Sequence, residues 1–152
     1  MEKNSKRKVK PLFLGVIVVV VVVVASVIGA LFVLDMVNGG VDQYSGMFTM
    51  KFETKTSNSW TFSAQSAQGY STIFRDLNQQ DLNKISVDSS IGEGKMVLII
   101  SQDEYNQSID LSSGTMNLSA DDLGMDMFNP GQISMKLEFT NAKNISVNIS
   151  WR

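Results

Sequence analysis

The sequence predicts an all-β protein: an antiparallel β-sandwich, jelly-roll-like or immunoglobulin-like, preceded by a single N-terminal transmembrane helix. Two observations carry this prediction. An uncharged apolar run covers residues 12–34, and from Met47 onward apolar and polar residues alternate with a period of two in short runs separated by turn residues. A small β-barrel is the second choice of architecture.

The apolar run contains seven consecutive valines, Val18 to Val24. As a helix it would be about 34 Å long, enough to cross a hydrocarbon core of about 30 Å. In lipid every backbone N–H and C=O must be paired within the segment, so a single span must be helical despite the modest helix propensity of valine. A cleaved signal peptide is the alternative, although the run is longer than the apolar part of most signal peptides.

The charges on either side of the run predict its orientation. Five lysines and arginines lie in residues 1–10, whereas Asp35 and Asp42 follow the run. The positive-inside rule therefore predicts a basic cytoplasmic N-terminus (residues 1–11), a transmembrane helix (12–34), a linker (35–46) and an extracytoplasmic domain (47–152). The small-residue pairs Ala25/Gly29 and Ser26/Ala30 could support a homodimer through the helix.

Alternating residues predict seven to nine short strands in the outer domain. Residues 47–55 and 60–65 are expected to be strands. Residues 69–77 fit either a strand or a helix; a strand is favoured, and the polar segment 78–83 after it is expected to be a loop. Residues 95–101 are apolar on both faces, which is typical of an internal strand. Residues 133–139 and 145–151 alternate clearly and are joined by a short polar segment, which predicts an antiparallel hairpin.

The apolar faces of these strands predict the core. Trp60 and Trp151 are in phase with apolar neighbours, so both are expected inside rather than on a sugar-binding surface. The other predicted core residues are Phe48, Phe52, Phe62, Leu98, Ile100, Leu137, Phe139, Val147 and Ile149.

Composition excludes several classes of function. The chain has no cysteine and no histidine, which removes disulfides, a lipid-modified N-terminal cysteine and the commonest general base and transition-metal ligand. Residues 35–152 carry eight basic and fourteen acidic residues, so a nucleic-acid partner is not expected. No pair of carboxylates is marked by an apolar pocket pattern, and the protein is expected not to be an enzyme.

Two sets of residues are candidates for ligand contact. Asp121, Asp122 and Asp126 lie close together in sequence and could supply oxygen ligands to Ca²⁺, although their spacing does not match the EF-hand and a solvated acidic loop is the simpler interpretation. No other cofactor is expected. Tyr70 and Tyr105 are expected at strand starts beside loops, where exposed rings could form a ligand surface.

The segment from Lys84 to Trp151 resembles the small β-sandwich ectodomains of uncharacterised envelope proteins of Gram-positive bacteria, many of them lipoproteins. The resemblance lies in a glycine–lysine turn before an apolar strand (IGEGKMVLIIS), a strand ending in IDLS, a Pro-Gly turn and a final strand ending in tryptophan. This chain lacks the cysteine of the lipoprotein form. The resemblance implies a fold and a location, and it assigns no functional residue.

The sequence thus predicts a membrane-anchored, non-catalytic binding module at the cell envelope. Its partner would be a glycan, a wall polymer or a membrane protein. The alternative is a protein that binds a cation or a substrate through the acidic loop.

Overall fold

The computed structural model describes residues 42–152, which form an antiparallel all-β domain. Its strands are β1 (Gln43–Thr49), β2 (Phe52–Lys55), β3 (Ser59–Leu77), β4 (Ser86–Ser90), β5 (Glu93–Gln102), β6 (Tyr105–Asp110), β7 (Thr115–Leu118) and β8 (Gly131–Ser150). A short helix α1 (Gln79–Lys84) and a 3₁₀ turn (Met125–Met127) complete it. The basic N-terminus, the predicted transmembrane helix and residues 35–41 of the linker lie outside the described residues. Within 42–152, no helix has the length and apolar character that crossing a bilayer requires.

The eight strands form five long antiparallel ribbons. β3 and β8 are continuous, with 19 and 20 residues, and pair with each other along almost their whole length. β1 and β2 pair in succession with the free side of β3. β4 and β5 pair in succession with the other side of β8, and β7 and β6 then pair with β4 and β5.

Each ribbon crosses two layers because the sheet bends near its middle. One layer contains β1, the second half of β3, the first half of β8, β5 and β6; the other contains β2, β4, β7 and the remaining halves of β3 and β8. At the bend, β3 has a bulge between Ala67 and Gly69, and Asn141 and Asn144 of β8 adopt positive φ angles of 48° and 52°.

A pair of glycines permits the close approach of β1 and β3 at this bend. Gly46 and Gly69 are directly paired and have φ angles of 132° and 127°. A Cβ atom on Gly69 would lie 2.1 Å from the carbonyl oxygen of Ser45, a distance that no side chain can occupy. Only glycine adopts these angles without strain, so both positions require it.

The core lies between the two layers. Phe62 of one layer stacks on Phe139 of the other with ring centroids 4.8 Å apart, which joins the halves of the bent sheet into a sandwich. Both tryptophans are buried, as predicted, and the indole N–H of Trp151 donates a 2.8 Å hydrogen bond to the carbonyl of Ser57. Seven predicted core residues are confirmed as buried: Phe62, Leu98, Ile100, Leu137, Phe139, Val147 and Ile149.

The predicted hairpin between residues 133–139 and 145–151 is wrong. The polar segment between them bends the chain without reversing it, and both halves continue as one strand, β8. The two left-handed asparagines shift the inward phase, so that Phe139, Ala142 and Ile145 all point inward. The predicted strands 60–65 and 69–77 are likewise two halves of β3.

Two local predictions also need correction. The predicted loop 78–83 forms helix α1, because Asn78 caps the backbone N–H groups of Gln80 and Asp81 and the Asp81 carboxylate accepts from the Asn78 N–H in return. This reciprocal capping satisfies donors that the start of a helix leaves free. Strand β1 begins at Gln43, inside the segment predicted as linker.

The predicted core position of Phe52 is wrong, and Phe48 is only partly buried against the core. Met50 adopts a positive φ of 50° between β1 and β2, and this turn reverses the inward phase of the ribbon. In β2, Glu53 and Lys55 therefore lie opposite the buried Phe62 and Trp60, whereas Phe52 points outward.

Candidate binding edge

The exposed large apolar side chains of residues 42–152 concentrate on the edge ribbon, which is formed by β1, β2 and the turn between them. Tyr44, Met47, Met50 and Phe52 are 68%, 78%, 80% and 74% exposed, and we call these four residues the apolar patch. Met127 is exposed to 60% but belongs to the 3₁₀ turn. Large apolar surfaces left open to water commonly mark sites of interaction.

The backbone of the edge ribbon has one side without a paired strand in the described domain. β1 and β2 pair with β3 on one side and with no other strand of the described domain on the other side. Such an edge can accept an additional strand from another chain. Beside it, Met47, Thr49, Ala67, Ala142 and Lys143 line a hollow of about 310 Å³ over the bend.

The inner face of the same ribbon carries a carboxylate between the layers. One oxygen of Glu53 accepts hydrogen bonds from the indole N–H of Trp60 at 2.9 Å and from the hydroxyl of Ser71 at 2.8 Å. Its other oxygen lies 2.6 Å from the ammonium of Lys51. The side chain is 12% exposed, so it is largely removed from water and paired at both oxygens.

Three aromatic rings surround the Lys51 ammonium. Its Nζ atom lies 4.4 Å from the ring centroid of Tyr44, 5.0 Å from that of Phe48 and 5.7 Å from that of Phe62. All three distances are within the range of a cation–π contact. We call Tyr44, Phe48, Phe62 and Glu53 the ammonium cage.

Further charges extend from the cage along the edge. Lys55 lies 3.3 Å from Glu53 and 3.4 Å from Asp42, and Arg75 lies 3.3 Å from the other oxygen of Asp42. Asp42 also accepts a hydrogen bond from the backbone N–H of Phe74. The edge thus combines three basic and two acidic groups, a local excess of positive charge in an acidic domain.

The surroundings of Glu53 determine its protonation. Burial raises the pKa of this carboxyl, but hydrogen bonds from Lys51, Ser71 and Trp60 and the charge of Lys55 outweigh burial and hold the pKa below its ordinary value. The group is therefore a carboxylate at neutral pH, which is the form that binds a cation.

The structure does not gather the acidic loop into a metal site. No group of three or more Asp or Glu residues within residues 42–152 is placed to hold a metal ion. Asp122 instead accepts hydrogen bonds from the hydroxyl of Ser119 at 2.6 Å and from its backbone N–H at 2.9 Å, and these bonds lower its pKa. The side chains of Asp121 and Asp126 do not share in these hydrogen bonds to Ser119.

Tyr70 and Tyr105 do not share a surface. Tyr70 is paired with Glu138 on the outer face of the sheet, where the Lys136 ammonium lies 4.7 Å from its ring. Tyr105 packs edge-on against Phe128 with ring centroids 5.0 Å apart, and its hydroxyl lies 2.8 Å from the Met127 sulfur. Both are half-buried, and their role as a ligand surface stays a prediction.

Sequence reasoning missed the edge ribbon because it treated residues 47–55 as one strand with a single phase. The alternation of Lys51, Glu53 and Lys55 with apolar residues indicates a face exposed to solvent. The sequence does contain a signal, since three charges that alternate with two phenylalanines and one methionine are equally compatible with a charged inner face at an open edge. Deciding between them requires the turn at Met50.

No family model matches the chain, and no curated protein matches it. Among solved structures, a mutant of the family 29 carbohydrate-binding module CBM29-2 is 11% identical, with a TM-score of 0.35 over 73% of this chain and 83% of that one. A second mutant of a family 29 carbohydrate-binding module is 12% identical, with a TM-score of 0.34 over 74% and 81%. Both scores are below 0.5, so neither likeness carries an argument about this chain.

Proposed function

We propose that this protein is a non-catalytic binding module, anchored in the cell membrane by residues 12–34, whose edge ribbon binds a neighbouring protein of the envelope. The observation that carries the proposal is the apolar patch on an unpaired sheet edge. A folded domain gains nothing from leaving four large apolar side chains in water, whereas a partner that covers them gains their burial.

The composition of the patch favours a protein over a glycan as the partner. Tyrosine, phenylalanine and methionine are enriched in the cores of protein interfaces, where flexible methionine side chains adapt to the opposing surface. Met47 and Met50 project from the same ribbon as Tyr44 and Phe52. A wall polymer or glycan would be expected to require stacked rings and convergent hydrogen-bonding groups instead, and is kept as an outcome of the test.

The membrane anchor rests on the sequence alone. Seven residues, 35–41, separate the apolar run from the first described residue, and a fully extended chain of that length spans at most about 25 Å. The edge ribbon begins at Gln43 and would therefore lie close to the bilayer, within reach of other membrane proteins. Protease added to intact spheroplasts should digest residues 42–152 and spare the basic N-terminus; protection of the domain would refute the topology.

Photocrosslinking in intact cells tests the partner. A photoreactive amino acid replaces Phe52 in the apolar patch, and a matched variant carries it at Asn117, on the opposite edge of the sheet. A discrete adduct at position 52 and none at position 117 would support a protein partner. An adduct of twice the mass of the chain would identify that partner as a second copy.

Reconstitution with the identified protein provides the quantitative test. The variants Met47→Ser and Phe52→Ser should weaken its binding to the full-length protein in detergent by tenfold or more, a loss of about 1.4 kcal/mol, because each removes an apolar contact. Thr115→Ala, in strand β7 at the opposite edge of the sheet, should leave binding unchanged. Equal adducts at both positions, or an adduct with glycan alone, would overturn the proposal.

A further inference from the structure

The Lys51 ammonium occupies a site built like a receptor for an alkylammonium ion. It has three aromatic ring faces and one carboxylate oxygen at 2.6 Å, all contributed by β1, β2 and β3. Aromatic rings attract a cation through their negative faces, and the attraction grows when water is excluded. Lys51 itself is not part of these strands, because it lies on the turn between β1 and β2.

Three of the four cage residues, Glu53, Phe48 and Phe62, are held in place by contacts that do not involve Lys51. Trp60 and Ser71 both donate to Oε1 of Glu53, and Lys55 also approaches this oxygen at 3.3 Å. Lys51 is bound to Oε2. Phe48 and Phe62 pack edge-on against each other at 5.9 Å, and Phe139 supports both rings from behind. Removing the Lys51 side chain would therefore leave a preformed site with one free carboxylate oxygen.

Lys51 lies on the turn between β1 and β2 and belongs to neither strand. Met50 is the most exposed large apolar residue of the described domain and adopts a left-handed conformation that is unfavourable for a side chain. Residues 50 and 51 separate the paired segments of β1 and β2. An opening of this turn would withdraw the Lys51 ammonium without disturbing the strands that form the cage.

We infer that the ammonium cage is a binding site for the lysine side chain of a partner protein, and that Lys51 fills it until the partner displaces it. A primary ammonium is favoured because the short contact to Glu53 needs an N–H donor, which a quaternary ammonium lacks. A lysine is favoured because a lysine is the group that the cage already holds. The inference rests on the proposed binding function of the same edge.

The variant Lys51→Ala vacates the cage and makes the site measurable. Full-length protein in mild detergent is titrated with methylammonium chloride, tetramethylammonium chloride or glucosamine hydrochloride, with sodium chloride added to keep the ionic strength constant. Binding is followed by tryptophan fluorescence, since Trp60 donates to the carboxylate of the cage, and by the shift in the melting temperature. These probes distinguish a lysine-like amine from a choline-like cation and from an amino sugar.

Two further variants serve as controls. Lys143→Ala removes a lysine paired with Glu93 at 2.6 Å on the exposed surface, a pair that makes no cation–π contact within residues 42–152. The double variant Lys51→Ala, Glu53→Gln vacates the cage and removes its charge. Lys143→Ala should respond to methylammonium only as weakly as the unaltered protein, and the double variant should not respond beyond the response to sodium chloride.

The expected result is saturable binding of methylammonium to Lys51→Ala, with tetramethylammonium bound at least several-fold more weakly. The unaltered protein should bind methylammonium roughly tenfold or more weakly, because its tethered lysine competes at a high effective concentration. A response of folded Lys51→Ala equal to that of Lys143→Ala would overturn the inference. Preference for glucosamine over methylammonium would replace the lysine with an amino sugar.

A failure to fold would also be informative. Should Lys51→Ala be unfolded in sodium chloride, methylammonium should restore the folded state, as an added ligand does when it binds only that state. The absence of rescue, together with equal fluorescence responses of the unaltered protein and of Glu53→Gln to methylammonium, would overturn the inference. Loss of partner capture in Phe52→Ser is measured separately, so the cage and the interface can fail independently.

Discussion

Strand β8 and the edge ribbon have the same alternating pattern in the sequence and opposite outcomes in the structure. In β8, Met135, Leu137 and Phe139 point into the core and the charged Lys136 and Glu138 point outward. In the edge ribbon, Phe52 points outward and Glu53 points inward. β8 is paired on both sides and covered on one face, so pointing its other face inward would bury several charges. At an edge, inward-pointing charges are tolerated because they can pair with one another.

The difference teaches that a period of two identifies a strand and leaves its orientation open. Which face of a strand points into the core depends on the free energy that would be lost if the other face pointed inward. A one-residue shift of β8 would exchange its entire apolar face for charged and polar residues. In β2, two of four residues are charged, and both find partners at the open edge.

The largest expected effect compares apolar residues from the two regions. Leu137→Ala should lower the free energy of unfolding by about 2–5 kcal/mol, because Leu137 is 0% exposed and its removal leaves a cavity. Phe52→Ala should change it by less than about 0.5 kcal/mol, since exposed positions without special contacts contribute little. Denaturant titration of both variants measures the contrast, and similar losses would contradict the phase reversal.

The glycine pair at the bend tests how tightly the edge ribbon is attached. Gly69→Ala should destabilise the fold by more than about 2 kcal/mol, because its Cβ would collide with the Ser45 carbonyl and its φ of 127° is strained for alanine. Gly114→Ala is the matched control: its φ of 82° is also positive, but a Cβ there meets nothing within 4 Å. The loss of melting temperature in Gly114→Ala reports backbone strain alone, and the additional loss in Gly69→Ala reports the collision.

Glu53 provides a pH-dependent test of the charged inner face. Its pKa is lower in the folded protein than in the unfolded chain, so its stabilisation is fully present above the unfolded value, about 4.3, and is lost as pH falls through the folded value. Glu53→Gln should cost about 1–3 kcal/mol near neutral pH, chiefly by leaving Lys51 unpaired.

The control for this test compares how steeply the stability of the two proteins falls with pH. As the pH falls below about 5, the unaltered protein should lose stability faster than Glu53→Gln, because only the former has this carboxylate to protonate. Urea unfolding at a series of pH values measures both curves. Parallel curves would place Glu53 in an environment like that of the unfolded chain.

The smallest effect is expected at the acidic loop. Excess Ca²⁺ should leave the melting temperature unchanged, because the three carboxylates do not converge on one point in the structure. The double variant Asp121→Ala, Asp126→Ala should melt like the unaltered protein. A rise of several degrees with Ca²⁺ that disappears in this variant would favour the alternative function as a cation-binding protein.

The sequence predicts the all-β class, the sandwich and most of the core, because long buried strands impose a strict alternation that few other folds allow. It does not predict that β8 is one continuous strand. The segment TNAKN has the composition of a turn that reverses the chain, and only its pairing with the bulged β3 shows that the strand bends there and continues. Helix α1 was missed because capping by Asn78 and Asp81, rather than an apolar period, defines it.

The candidate site was predictable only in part. Residue type near a turn is the only signal by which the sequence points to Tyr70, Tyr105, Asp121, Asp122 and Asp126. The ammonium cage instead depends on four residues between positions 44 and 62 that converge across three strands. Such convergence follows from register, which a single sequence specifies weakly at an edge.

The pairing of β3 with β8 also orders events during synthesis. Thr61 bonds to Asn148, 87 residues later in the chain, so β3 is made long before the strand that will lie beside it. Contacts between distant segments slow folding and leave apolar strands open to wrong partners meanwhile. The sheet can be completed only when the twenty residues of β8 have been made, and until then the side of β3 that β8 will cover has no strand to pair with.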